Sequence, residues 1–251
     1  MNLKTQKNMK LYTRRNYRNR VSFSGLSNYR IKWMKSDIMI STIGDHKKTA
    51  LNKLINLYKN IEEYIKYNPE FENTMTPIEP NDTMPLIIHR MVVASKKAGV
   101  GPMACVAGII SEELGNELAK YSQEVIVENG GDIFIKSNIE RRIALFSGES
   151  PLNMKIGIKL NPGGESLGIC TSSGTVGHSI SYGNADAAVC LCEDVALADA
   201  AATSVGNKVI SKEDIEKGLV FAKSLNEIKG CVIIFGKKIG AWGDVEICKL
   251  D

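Results

Sequence analysis

The sequence lacks an apolar run long enough to cross a membrane. A bilayer-spanning helix needs about 18 or more consecutive apolar residues, and charged or polar side chains interrupt every apolar stretch of this 251-residue chain well before that length. The chain also does not open with the short basic segment, apolar segment and cleavage site of a secretory signal. We therefore expect no membrane span and a cytoplasmic location.

Metal-binding cysteine and histidine patterns are missing as well. The six cysteines never occur in a CxxC spacing, and the chain has only three histidines. Cys190 and Cys192 would lie on one face of a strand, but no second pair follows at the spacing of a four-ligand zinc site. We expect the cysteines to be reduced thiols, buried as small apolar side chains.

Acidic residues are missing from the start of the chain, where much of the net charge of +4 lies. Residues 1–16 are expected to form a basic, flexible tail, and residues 17–251 a single domain. A basic terminus also occurs in proteins that bind nucleic acid or membrane surfaces. Because no aromatic platform or recognition motif follows it, we expect no nucleic-acid partner.

Strand and helix signals alternate along the chain without a strict order. Residues 17–43 alternate with period two, as in an antiparallel meander, and Asp45 is expected to cap the helix that follows. The later segments are helices at 85–98 and 102–121, strands at 124–128, 132–136, 142–146, 154–159 and 167–171, an alanine-rich helix, a helix from residue 211, and a terminal strand pair at 231–235 and 244–248. Runs of strands with inserted helices predict an α+β fold.

Asp199 and Thr203 lie four residues apart in the alanine-rich segment. Alanine favours a helix, and residues four apart lie on one helix face. A carboxylate and a hydroxyl presented together suit a hard cation that takes oxygen ligands. The alternative is a tightly packed helix in which Asp199 caps a neighbour and Thr203 bonds back to its own turn.

Two polar segments between apolar strands are candidate binding loops. The first is Asn129-Gly130-Gly131-Asp132, in which glycines permit positive φ and close approach of a ligand, although a tight hairpin needs the same residues. The second runs from Thr171 through Ser172, Ser173, Gly174 and Thr175 to His178. Its hydroxyls and backbone N–H groups suit phosphate oxygens, and His178 suits proton transfer. A polar loop that satisfies its own turns is the structural alternative.

Taken in order, these motifs resemble the ApbE-like family of FAD:protein FMN transferases. The likeness covers roughly residues 100–210, and its most specific part is the helix motif Ala198-Asp199-Ala200-Ala201-Ala202-Thr203. The resemblance implies a T-fold-related architecture of antiparallel sheets with packed helices, Mg²⁺ bound by Asp199 and Thr203, and a flavin pocket bordered by the two loops. It also implies that His178 deprotonates the acceptor hydroxyl.

The resemblance further implies a reaction in which FMN passes from FAD to a Thr or Ser of an acceptor protein and AMP is released. The chain departs from the family pattern in two places. Gly101-Pro102-Met103 replaces a Lys-Gly-Tyr sequence, and no Asp-Pro follows His178. A non-catalytic flavin-binding or carrier protein, or a structural partner of a redox complex, is therefore an open alternative. A homo-oligomer formed through a sheet edge is also compatible with the sequence.

Overall fold

A computed structural model describes residue 23 and residues 25–175 and 182–250. The expected basic tail and His178 lie outside these residues. The strands are β1 (Ser27–Trp33), β2 (Ser36–Thr42), β3 (Val125–Asn129), β4 (Asp132–Lys136), β5 (Arg141–Ala144), β6 (Ile156–Leu160), β7 (Ser166–Ser172), β8 (Ala187–Cys192), β9 (Gly230–Phe235), β10 (Lys238–Gly243) and β11 (Glu246–Lys249). The α-helices are α1 (Lys47–Tyr67), α2 (Glu70–Asn73), α3 (Leu86–Ala98), α4 (Val106–Leu118), α5 (Val195–Lys208) and α6 (Ile215–Ser224), with short 3-10 helices at Pro102–Cys105 and Lys212–Asp214.

Two antiparallel sheets form the framework. The large sheet has the strand order β1-β2-β3-β4-β7-β8-β9-β10, and the small sheet has the order β11-β6-β5. Every pairing in both sheets is antiparallel. The α+β class predicted from the order of sequence signals is therefore confirmed.

The large sheet is a middle layer with a different cover on each face. Val125 and Val127 of β3 point into a core shared with the helices, while Ile126 between them points into a second core shared with the small sheet. This alternation follows from the two-residue period of a strand. Strand β8 is buried at all six positions because both of its faces are covered.

No single helix in the described ranges is both long and apolar enough to cross a membrane. Helix α3 and the segment Pro102–Leu118 meet that test only when joined, and they are bent by 101° where they meet.

Both strands predicted at the C-terminal end of the chain are present, as β9 and β11, but their predicted pairing with each other was wrong. The segment near residue 246 pairs with β6 of the small sheet, not with β9. The partner of β9 is β10, which a two-residue turn at Gly236 and Lys237 joins to it. Strand β10 contains two glycines and no alternating apolar pattern, so periodicity missed it.

The start of α1 lies slightly later than predicted. The helix begins at Lys47, and His46 occupies the position before it. The Asp45 carboxylate still accepts a hydrogen bond from the Lys47 N–H, at 2.8 Å. The predicted capping interaction is therefore present, two residues before the first helical residue.

A buried ion pair joins the two sheets. The Glu124 carboxylate accepts hydrogen bonds from Arg141 Nη2 at 2.9 Å, from Ser137 Oγ at 2.5 Å and from the Asn138 N–H at 2.7 Å. Both charged side chains are 9% exposed. Burial alone would raise the pKa of Glu124, but these hydrogen bonds and the Arg141 charge lower it below the usual 4.5.

We predict that Arg141→Met destabilises the fold by about 3 kcal/mol, because it leaves the Glu124 carboxylate buried without its cation. Urea unfolding measures the loss. The neighbouring Arg142 pairs with Glu140 on the surface at 3.9 Å, with side chains 58% and 45% exposed. Arg142→Met is therefore the matched control and should change stability by less than about 0.5 kcal/mol.

The same pair predicts a pH dependence. Because the folded-state pKa of Glu124 is lowered, its contribution is complete above the usual glutamate value of 4.5 and is lost as the pH falls through the lowered pKa. Arg141→Met should weaken this acid dependence. Equal losses of stability in Arg141→Met and Arg142→Met would contradict the structural role of the buried pair.

Candidate functional site

Helices α4 and α5 cap each other where they cross. The Gly108 N–H in the first turn of α4 donates to Asp199 Oδ2 on α5, at 2.8 Å. In return, the Val195 N–H at the start of α5 donates to Glu112 Oε2 on α4, at 3.1 Å. The first N–H groups of a helix have no acceptor within that helix. Here each helix supplies a carboxylate that accepts from such an N–H group of the other helix. This reciprocal capping fixes Asp199 at the α4 N-terminus.

The crossing is possible only because Gly108 has no side chain. A Cβ at this position would lie 2.6 Å from the Val195 carbonyl oxygen and 2.7 Å from Asp199 Cβ. Helix α5 contributes a surface of small residues, and it is buried from Val195 through Gly206. The small-residue content of α4 was visible in the sequence, but its partner at Asp199 was not.

A polar network surrounds the start of α5. Arg90 Nη2 lies 2.5 Å from Glu112 Oε1, and Arg90 Nη1 lies 2.8 Å from Glu113 Oε1. Burial raises the pKa of Glu112, and Arg90 partly opposes that rise. Asp194 caps α5 itself by accepting from the Leu197 N–H at 2.9 Å. Glu112 and Glu113 are thus paired with a cation, whereas Asp199 has no cationic partner among the described residues.

The Asp199 carboxylate lies in an electronegative region. It is 8% exposed, and its pKa is raised well above the usual aspartate range, first by burial and then by the charge of Asp132. The N–H groups of Gly108 and Ala107 oppose this rise, and no cationic side chain of the described residues does so. Burial, followed by the charges of Asp132 and Asp199, also raises the pKa of the Cys170 thiol. A bound cation would compensate this negative charge.

The Thr203 hydroxyl, one turn beyond Asp199, is available to a ligand. The residue is 9% exposed, and its hydroxyl makes no hydrogen bond with any described residue, whereas Ser111 on α4 bonds back to Ala107 O at 2.9 Å. In a helix packed without a metal, Asp199 would cap a neighbour and Thr203 would bond back to its own turn. The first interaction is observed, since Asp199 caps α4, but Thr203 makes no such bond.

The described residues contain no group of three or more His, Cys, Asp or Glu side chains able to hold a metal. A metal here would use hydroxyl, backbone or substrate oxygens beside Asp199.

The first predicted loop is the hairpin turn between β3 and β4. Gly130 and Gly131 have φ of 76° and 126°, and they separate the paired residues Asn129 and Asp132. Asn129 Nδ2 donates to the Ala107 carbonyl of α4 at 3.3 Å. The segment therefore forms the tight hairpin that was the alternative to a binding loop. The Asn129 side chain contacts the start of α4 and does not face solvent.

The second predicted loop begins at the end of β7, beside the first. The Thr171 N–H donates to Asp132 Oδ1 at 3.3 Å, so the two loops are in direct contact. Ser172 Oγ is buried and has no hydrogen-bond partner among the described residues. Further along, Thr175 Oγ1 donates to Asp186 Oδ1 at 3.3 Å, and the Thr175 N–H donates to Ser173 Oγ at 3.2 Å.

A stack of three glycines joins this loop to α5. A Cβ on Gly174 would lie 2.0 Å from the Gly183 carbonyl oxygen, and a Cβ on Gly183 would lie 1.8 Å from the Gly206 carbonyl oxygen. Only glycine fits this approach at Gly174 and Gly183. Sequence analysis missed the last two of these residues, because the close contacts join distant segments.

The structure thus brings together Asp132 and Thr171 by a hydrogen bond and links Asp132 electrostatically to Asp199. Ser172 and Gly174 connect to the same helix through its Gly206 end. No position is described for His178, so its predicted role stays a prediction.

The sequence and the fold are similar to those of known proteins. A sequence model of the family described as AbpE bacteria matches residues 19–227. A UPF0280 protein from Methanococcus aeolicus is 39% identical over 222 residues, which cover 86% of this chain and 90% of that protein. A UPF0280 protein from Methanosarcina barkeri is 43% identical over 190 residues, 74% of each chain.

Two solved structures share the fold. The flavinyl transferase ApbE from Pseudomonas stutzeri, in its apo form, aligns with a TM-score of 0.56 and 14% identity over 86% of this chain and 93% of that one. The ApbE protein from Thermotoga maritima aligns with a TM-score of 0.55 and 10% identity over 86% and 96% of the two chains. At this identity, the likeness establishes the fold alone.

We predict that Gly108→Ala is strongly destabilising, because its Cβ would overlap the α5 backbone and push Asp199 away from the α4 N-terminus. A cost of about 2–3 kcal/mol is typical of such overpacking, and urea unfolding measures it. Gly206→Ala on α5 is the control. Its Cβ would meet Ser172 Oγ and Ala188 Cβ at ordinary distances of 3.5 and 3.7 Å.

Alanine at position 206 should be neutral or stabilise α5 by up to about 1 kcal/mol, because alanine favours a helix more than glycine does. If Gly108→Ala were as stable as Gly206→Ala, the close crossing of α4 and α5 would not be a constraint on the fold.

Proposed function

The chain belongs to the AbpE bacteria family within the ApbE-like superfamily, and from this premise we propose that it is a magnesium-dependent FAD:protein FMN transferase. The observation that carries the proposal is the pairing of Asp199 and Thr203 on one face of α5. Among the described residues, the carboxylate is buried without a cation and the hydroxyl has no hydrogen-bond partner. The solved relative with this fold from Pseudomonas stutzeri is named a flavinyl transferase.

The residues present suit magnesium. Asp199 and Thr203 supply hard oxygen ligands, and the remaining positions of a magnesium ion are commonly filled by water and substrate phosphates. When bound, the ion neutralises phosphate charge and acts as a Lewis acid. The Gly108 N–H donates to Asp199 Oδ2 and thereby orients the carboxylate, as outer-shell hydrogen bonds do at metal sites.

The two loops suit the FAD substrate. Gly130 and Gly131 leave the hairpin turn without side chains, so that a large planar group can approach its backbone. The Ser172 hydroxyl at the start of the second loop suits a phosphate oxygen. The Thr175 hydroxyl and the N–H groups of Gly174 and Thr175 already donate within the protein, to Asp186, Ala185 and Ser173. The buried Ser172 Oγ is a donor with no acceptor in the part of the chain that the structure describes.

The proposed reaction is a phosphoryl-type transfer to a hydroxyl of an acceptor protein. His178 takes the proton from a Thr or Ser of the acceptor, whose oxygen attacks the FMN phosphorus of FAD. The new oxygen–phosphorus bond forms as the pyrophosphate bond breaks, and AMP leaves. Charge stabilisation and alignment supply most of the rate enhancement in such transfers.

A flavin-binding protein without transferase activity is the second candidate. It is favoured by the segment Gly101-Pro102-Met103, which stands where the resemblance predicts Lys-Gly-Tyr. In the structure Pro102 is buried and Met103 packs against the helix-side core. The segment therefore offers neither a cationic nor an aromatic side chain to a flavin.

We predict magnesium-dependent release of AMP and transfer of FMN when the protein is mixed with FAD and a flavin-accepting protein. Chromatography of the nucleotides and in-gel flavin fluorescence measure the two products. Asp199→Asn keeps an oxygen that accepts from Gly108 but removes the charge, so the fold should persist while the affinity for Mg²⁺ falls by more than about 10-fold.

Thr203 provides a matched pair of variants for the same assay. Thr203→Val removes the hydroxyl at constant shape and should lower Mg²⁺ affinity, whereas Thr203→Ser keeps the hydroxyl and should not. Thermal stabilisation of the FAD-loaded protein by Mg²⁺ reports this affinity independently of turnover. If Mg²⁺ stabilised the wild-type protein, Thr203→Val and Thr203→Ser equally, Thr203 would not be a ligand of the metal.

We predict that His178→Gln lowers FMN transfer by about 10²–10⁴-fold, the usual contribution of a general base, without weakening FAD binding. Fluorescence titration measures FAD binding, and AMP release measures transfer. Binding of FAD by wild-type protein with no transfer to any acceptor, in the presence of Mg²⁺, would favour the carrier function instead.

A further inference from the structure

Strand β10 forms one edge of the large sheet, and part of its backbone has no partner strand among the described residues. The tight turn makes Phe235 and Lys238 the first pair of the β9–β10 hairpin. In an antiparallel hairpin of this kind, every second residue then directs its N–H and C=O away from the partner strand. On β10 these residues are Ile239 and Ala241, both exposed. They form a short template for another strand.

This edge is unusually unprotected. At the opposite edge, β1 carries the exposed basic side chains Arg30 and Lys32, a common protection against strand addition. On β10, the residues between its first and last positions are uncharged and include no proline. Ile239 and Ala241 also lie opposite Ile234 and Val232 of β9, so they continue the apolar face of the small-sheet core. No residue in the described part of the chain covers them there, and both are exposed.

Antiparallel pairing of β10 with itself has one register in which both shape and charge match. With Ala241 opposite its own copy on a twofold axis, Gly240 lies opposite Trp242 of the second copy. An aromatic side chain across from a glycine is a favourable sheet pairing. In the same register, Lys238 lies near Asp244 of the second copy, which directly follows the last residue of β10.

The two charges are available for that contact. Lys238 and Asp244 are both exposed, and neither forms an ion pair within the part of the chain that the structure describes. The twofold axis creates the Lys238–Asp244 contact twice, once on each side of the apolar centre. Opposite charges that are brought close together attract each other, which favours the dimer.

We propose that two copies of this chain associate through β10 in this register, joining their large sheets into one continuous sheet. Each copy then satisfies the outward N–H and C=O groups of Ile239 and Ala241 of the other. The interface is isologous, with the same surface on both copies, and it therefore closes as a dimer.

Sedimentation equilibrium over a concentration series tests the proposal, with an expected mass twice the 27.5 kDa of the chain. Ala241→Pro removes an N–H that points away from β9, so the hairpin is retained but the edge is blocked. We expect at least a 10-fold weaker dimer. Ala241→Ser keeps the N–H and should remain dimeric, and circular dichroism and thermal unfolding check that both variants fold.

Charge reversal tests the register. Lys238→Glu and Asp244→Lys should each weaken the dimer, and the double variant should restore it, because the opposite charges then face each other again. A wild-type protein that is monomeric at every concentration would overturn the proposal. So would a dimer that Ala241→Pro leaves intact, or one that the double charge reversal does not restore.

Discussion

The reciprocal capping of α4 and α5 is the interaction on which the candidate site depends. Each helix presents its first backbone N–H groups to a carboxylate of the other, Gly108 to Asp199 and Val195 to Glu112. The positive end of each helix dipole thereby meets a negative charge. Because the contact needs close approach of the backbones, it selects Gly108 on one helix and a run of alanines on the other. Both helices then pack on the same face of the large sheet.

This packing has an electrostatic consequence that links structure to function. It holds Asp199 in a buried position near Asp132, where the ionised form is disfavoured first by desolvation and then by the neighbouring charge. A fold selected for stability alone has little reason to keep this arrangement, since a neutral cap would satisfy Gly108 as well. Local destabilisation of this kind is common where a protein binds a cation or carries out chemistry. The Thr203 hydroxyl and the two loops lie around the same helix.

Sequence reasoning succeeded where the signal was local. The alanine-rich helix, the hairpin at Gly130 and the amphipathic helices follow from propensity, turn chemistry and periodicity, which act over a few residues. It failed for β10, whose apolar pattern is too weak to detect and whose pairing with β9 depends on the turn between them. The pairing of β11 with β6 in the small sheet could not be predicted either, because the paired residues are about 90 positions apart in the sequence.

The sequence by itself determined the α+β class, the family resemblance and the placement of Asp199 and Thr203 on one helix face, because a period of 3.6 residues is a property of the local backbone. Only the tertiary structure decided that Asp199 caps α4, that the Thr203 hydroxyl bonds to no described residue and that Asp132 lies near enough to raise the pKa of Asp199. These features arise from contacts of α5 with α4 and β4, which lie far from α5 along the chain. Their geometry is set by packing, with Gly108 as the point of closest approach.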